Sequence, residues 1–234
     1  MKKFLFRLLR SVFKVILLLF AISVLLTILF RFVPVPLTPL MVIRCFQQFS
    51  DDRRTLRLQK DWVSHDEISS HLRLAVVCAE DQNFYTHWGF DLNAIDKAVQ
   101  HNKNHKRKRG ASTISQQVAK NLFLWPSRNW VRKGLEVYFT ALIELFWSKQ
   151  RILDVYLNII ELGDGVYGAE AASKRYFNKT AKKISAGEAA LLAAILPRPL
   201  KYSAKNPGPY IRKRQNWILN QMRLNEGIGT VKGK

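Results

Sequence analysis

The sequence predicts a mainly α-helical protein with one N-terminal membrane-crossing helix. Three observations carry this. From residue 68 onward, apolar residues recur at helical spacing behind Ser, Thr or Asp caps. The run Val15 to Phe30 contains no charged residue. Alternating strand patterns are almost missing, and there is no internal repeat. The 234 residues suffice for one core and an appendage. Cys45 and Cys78 offer neither a disulfide framework nor zinc spacing, and the five histidines show no ligand pattern.

Lys2, Lys3, Arg7, Arg10 and Lys14 precede the apolar run, which with its flanks approaches the ~20 residues needed to cross a bilayer. A cleaved signal peptide would end at a small-residue site, whereas Arg31-Phe32-Val33-Pro34 follows here, so an uncleaved anchor is expected. The basic tail belongs in the cytoplasm and the rest of the chain outside it. Of the net charge of +21, these five cations account for part, and +16 remains after the tail because no acid precedes Asp51, nearly all of it beyond the anchor. An exported basic surface argues against nucleic acid and for lipid headgroups or a lipid-linked phosphate. The expected divisions are a cytoplasmic tail (1–14), an anchor (15–33), a stalk or linker stiffened by Pro34, Pro36 and Pro39 (34–60), a main domain (61–225) and a basic C-terminal tail (226–234).

Ser64 and Glu67 have capping-box spacing, and Ile68, Leu72, Ala75, Val76 and Ala79 form one stripe, so a helix is expected to run to Glu80. At a helix C-terminus beside Asp81, Glu80 would resist ionisation, which suits a general base. Leu92 to Gln100 continues as helix, and the basic run 101–110 is either a solvated loop or a flap that meets phosphate. Thr113 and Gln116 again have capping-box spacing. On the helix they start, Thr113, Gln117 and Lys120 share a face flanked by Gln116 and Asn121, and Ile114, Val118, Ala119 and Leu122 back it. Uncharged amides on such a face favour ligand contact over a plain solvated surface. Phe123-Leu124-Trp125, with Trp130, is either core or an insertion surface at headgroup level, and the tethered setting tilts toward insertion. Arg128, Arg132 and Glu136 recur at i, i+4, i+8 beside Lys133, either as a surface ion pair or as a phosphate-holding cluster. A helix from Ser148 ends near Gly163, the turn 163–168 is structural, and helices follow over 169–177, 189–196 and 210–224.

Five ordered stretches resemble the glycosyltransferase family 51 peptidoglycan polymerases, and within them the monofunctional biosynthetic transglycosylases. They are Glu80-Asp81 with Phe84, His87, Gly89 and Asp91; Ser112-Thr113-Ile114 with Gln116-Gln117, Lys120 and Asn121; Arg132-Lys133 with Glu136; Lys149 with Ile152-Leu153 and Tyr156-Leu157-Asn158; and Glu188 with Ala190, Leu192-Ala193 and Pro197. Ala111, Ser115 and Asp154 depart mildly from the family's usual Gly, Thr and Glu. The resemblance implies a lysozyme-like helical glycosyltransferase domain outside a bacterial inner membrane. It implies polymerisation of lipid II into β-1,4 glycan with inversion and release of undecaprenyl pyrophosphate. Glu80 would act as base. Lys120, Arg128, Arg132 and Lys133 would stabilise the leaving pyrophosphate, and Glu136 would hold that cluster or share a divalent cation (Mg or Mn), although no cofactor is required. Asp81, Thr113, Gln117 and Asn121 would serve substrate binding. The implied partners are lipid II, the growing glycan, membrane lipids and other cell-wall synthesis or division proteins, with no nucleic acid. A tethered lytic muramidase and a non-enzymatic basic envelope scaffold are the competing functions.

Overall fold

The structure is a computed structural model and describes residues 2–51, 55–105, 109–127 and 129–225. The expected C-terminal tail (226–234) and Arg128 lie outside the described residues. Helix α1 runs Lys2–Phe32, so the basic tail is part of the same helix as the apolar run. Its second half does not stand alone. The Phe20 and Tyr138 rings lie 6.2 Å apart, and Ser23 Oγ meets Tyr138 Oη at 2.7 Å. The Trp147 indole N–H donates to Thr27 O at 2.8 Å, and Arg151 donates to Phe30 O at 2.7 Å. Arg151 thereby satisfies a carbonyl that the helix end leaves open.

The expected stalk is folded into the domain instead of standing off. Val35 and Met41 are buried, and Lys60 Nζ donates to Val35 O at 2.6 Å. Pro39 opens helix α2 (Pro39–Phe49) behind the N-cap Thr38, the one position where its missing N–H costs nothing. The Ser64–Glu67 capping box is present, but it closes only a 3-10 turn over His65–Glu67. Ile68 is then extended and buried, and helix α3 (Ser70–Glu80) restarts from its own cap, Ser69.

Helix α4 (Leu92–Asn104) has no buried residue, whereas α5 (Ile114–Phe123) buries the back that its pattern marked. Helix α6 (Trp130–Phe146) brings Tyr138 to α1, and α7 (Lys149–Ile159), which carries Arg151, is buried from Ile152 onward, at the centre of the core. Helix α8 (Gly168–Phe177) ends at Asn178 in the left-handed region, a usual device for stopping a helix. Small residues let α9 (Ala186–Ile195) pack closely between α3 and α10 (Pro209–Leu224).

Three short strands were missed by the sequence reading. β1 (Gln59–Lys60) pairs parallel with β3 (Val166–Tyr167), and β2 (Glu161–Gly163) pairs antiparallel with β3 through a bulge. Gly163 therefore sits in a strand, and α7 stops at Ile159 because Ile160 is already extended. Strands of two or three residues are too short to show alternation.

Candidate active site

Glu80 is the last residue of α3, at the helix end where the backbone dipole disfavours negative charge. Its side chain is 16 % exposed. Oε2 accepts from Gln117 Nε2 at 2.9 Å, and Gln117 Oε1 accepts from the buried Tyr156 hydroxyl at 3.2 Å. Oε1 meets Arg214 Nη2 at 3.5 Å. Burial pushes the Glu80 carboxyl above its ordinary pKa, against the pull of Gln117, Arg214 and Lys120, with Asp81 adding repulsion.

Asp81, expected beside the substrate, is a buried brace. Oδ2 accepts from the Ile114 N–H at 3.0 Å, and His87 Nε2 reaches Oδ1 at 2.9 Å. It ties the end of α3 to the start of α5 and so sets Glu80 against Gln117. Thr113, expected to meet ligand oxygens, is also committed internally. Its buried hydroxyl donates to Gly89 O at 2.6 Å and caps Gln116 N, and Gln116 Oε1 returns a bond to Thr113 N at 3.0 Å. Gly89 has φ +76°, and a Cβ there would lie 2.7 Å from the Thr140 methyl, so the residue that meets Thr113 is held to glycine.

The cations form a second cluster. Glu136 is buried, with Arg132 Nη1 at 2.7 Å from Oε2 and Lys133 Nζ at 2.6 Å from Oε1. The helix starts at Trp130 with Asn129 as cap and carries Arg132 and Glu136 of the expected row, while Arg128 lies outside the described residues. Lys120 links the two clusters electrostatically. Burial lowers its pKa, while Glu136 and Glu80 both favour its charge. Lys120, Asn121 and Arg132 line a cleft of about 430 Å³ whose other walls include Leu40, Leu124 and Trp125. Arg132 Nε is buried with no hydrogen-bond partner among the described residues, a donor left for an anion. Each Glu136 oxygen already holds a cationic side chain, and among the described residues no three His, Cys, Asp or Glu side chains gather.

Arg214 and Tyr156 were not foreseen as site residues. Tyr156 entered only as an inward-facing residue of a stretch that carries the resemblance, with no role attached, and Arg214 sits on a basic helix 134 residues from Glu80 with nothing to mark it. Lys149, quoted only for the resemblance, bonds Glu144 at 2.8 Å and lies 4.8 Å over the Phe84 ring, bracing the segment after Asp81.

A half-buried carboxylate, Glu80, thus lies beside a cation-lined cleft on a helical scaffold. The chain belongs to the transglycosylase family, whose profile matches residues 48–223. It is 61 % identical over 203 residues to a biosynthetic peptidoglycan transglycosylase of Cronobacter sakazakii, covering 86 % of this chain and 84 % of that protein. Proteins of the same description from Bacteroides thetaiotaomicron (56 % over 206 residues; 88 % and 82 % covered) and Bdellovibrio bacteriovorus (54 % over 209; 89 % and 83 %) are similar to it. The enzyme class follows: a peptidoglycan glycosyltransferase of cell-wall synthesis with a lysozyme-like helical domain.

Proposed function

We propose that this chain polymerises lipid II into β-1,4-linked glycan by a single inverting displacement that releases undecaprenyl pyrophosphate. The observation that carries this is the pairing of one half-buried, multiply held carboxylate, Glu80, with Lys120 and Arg132 in the adjoining cleft and Lys133 beside them on Glu136. Glu80 takes the proton of the acceptor 4-hydroxyl as that oxygen attacks the anomeric carbon. The anomeric C–O bond breaks, and its electrons pass to the pyrophosphate oxygen. Lys120, Arg132 and Lys133 stabilise the charge that grows there, with Asn121 on the cleft wall. Gln117 orients Glu80, and Tyr156 orients Gln117. A muramidase would have no use for these cations, since glycan hydrolysis releases no phosphate.

The same reading gives a single-pass inner-membrane protein with its N-terminus inside, acting on membrane lipid and the growing glycan, alongside other wall-synthesis or division proteins. Only Val15 to Phe30 separates Lys14 from Arg31, so all of it is needed to cross the hydrocarbon. Ser23 lies eight residues before Arg31, about 12 Å along the helix. Ser23 thus lies near the middle of the run, and its bond to Tyr138 holds the domain against that helix, which supports a cleft that works close to the membrane. The test is direct. Purified protein in detergent with labelled lipid II should yield long glycan, and isolated sacculi should release no muropeptide. Muropeptide release without polymer would overturn the proposal.

A further inference from the structure

Helix α2 has a face that none of the described residues covers. Met41 and Gln48 turn inward and are buried, but Val42, Phe46 and Phe49 are 42 %, 67 % and 80 % exposed. Together with Leu37, Leu56 and Leu58 they border a groove of about 400 Å³ that no charged side chain among the described residues lines. The inward side of α2 is fixed by polar bonds. Gln48 Nε2 donates to Asp164 at 2.8 Å, Gln48 Oε1 accepts from Arg57 N at 2.9 Å, and Arg44 pairs with Glu161 at 3.0 Å. The groove is thus preformed and faces outward. A contiguous apolar patch of this kind is not left open to water in a soluble monomer.

Its position indicates what covers it. Phe32 ends α1 and Pro39 begins α2, and the intervening chain reaches at most about 25 Å. The domain is also drawn toward the bilayer through the contacts of Phe20, Ser23 and Thr27 with Tyr138 and Trp147. We infer that α2 lies in the outer leaflet as an interfacial helix, with Phe46 and Phe49 among the acyl chains and the groove seating a lipid chain. This is a second membrane contact, distinct from the anchor and from the Trp125–Trp130 segment. It rests on reading α1 as a bilayer anchor.

The groove carries its own labelling site. Cys45 lies in it, whereas Cys78 is buried with its thiol pushed up to about 11 and does not compete for a maleimide at neutral pH. Full-length protein labelled at Cys45 with an environment-sensitive fluorophore is reconstituted into phosphatidylethanolamine–phosphatidylglycerol vesicles. The expected result is a blue-shifted emission that brominated acyl chains quench and aqueous iodide does not. The variant Phe46→Ser with Phe49→Ser should lose the blue shift without losing thermal stability, because both side chains are exposed. Emission quenched by iodide would overturn the inference, and so would dry emission insensitive to brominated lipid, which would mean a protein cover such as a second copy. Failure of the protein to float with vesicles would overturn the anchor reading as well. Co-flotation with an aqueous Cys45 leaves the anchor standing and removes the groove alone.

Discussion

Glu80 is held by groups that arrive from three helices besides its own: Gln117 on α5, Tyr156 behind it on α7, and Arg214 on α10. Because burial raises its pKa in the folded state, Glu80 favours folding most when protonated. That contribution is complete below the ordinary carboxylate pKa and is lost as pH rises through the raised one. Glu80→Gln is therefore expected to melt above the parent at pH 8 and level with it near pH 4, as thermal scans in detergent would show. A parent that is the more stable of the two at pH 8 would contradict this. Arg214 opposes the rise, with Lys120 on the same side and Asp81 against it. Arg214→Gln should move the acid limb of the pH–rate profile to higher pH, while Arg214→Lys should hold it. An equal loss at every pH would reduce Arg214 to a packing residue. The candidate base was legible because helix end, neighbour and spacing are local. Arg214 was not, since its approach depends on how α10 packs against α3.

At the scale of elements, caps were the most readable feature. Thr113–Gln116 forms the box its spacing predicts, and Ser185–Glu188 forms another at the start of α9. The Ser64–Glu67 box misled because a capped turn need not propagate, and Ser69 offered a second start. The aromatic segment after α5 divides between the two readings open to it. Leu124 is 3 % exposed, while Trp125 is 43 % and Trp130 90 % exposed. Leu124→Ala should therefore cost about 2–5 kcal/mol of stability. Trp125→Ser with Trp130→Ser should leave stability nearly unchanged and slow turnover of long-chain lipid II in vesicles. Thermal melts and vesicle assays on the two variants separate them, and equal destabilisation by both would contradict the division.

For the whole molecule, the sequence showed an anchor and a helical domain as separate parts, and the structure joins them. Thr27 is buried, and Arg151 reaches the end of α1, contacts that no periodicity predicts because they link positions over 100 residues apart. Protein lacking residues 1–33 should consequently melt below the full chain even in detergent, since the Trp147 N–H and Arg151 lose their acceptors. Equal melting would show that the anchor is only a tether. Protease added to spheroplasts should digest the domain, and a protected domain would contradict an N-terminus on the inside.

The central claim is that Glu80 is the base that acts on the acceptor hydroxyl. The pH–rate profile of lipid II polymerisation by the full-length protein and by Glu80→Gln tests it most directly. The parent should lose activity on the acid side through one ionisation lying above the ordinary glutamate value. The variant should be slower by about 10²–10⁴ and flat across that range. A variant within a few-fold of the parent, or one that keeps the parent's acid limb, would contradict the account.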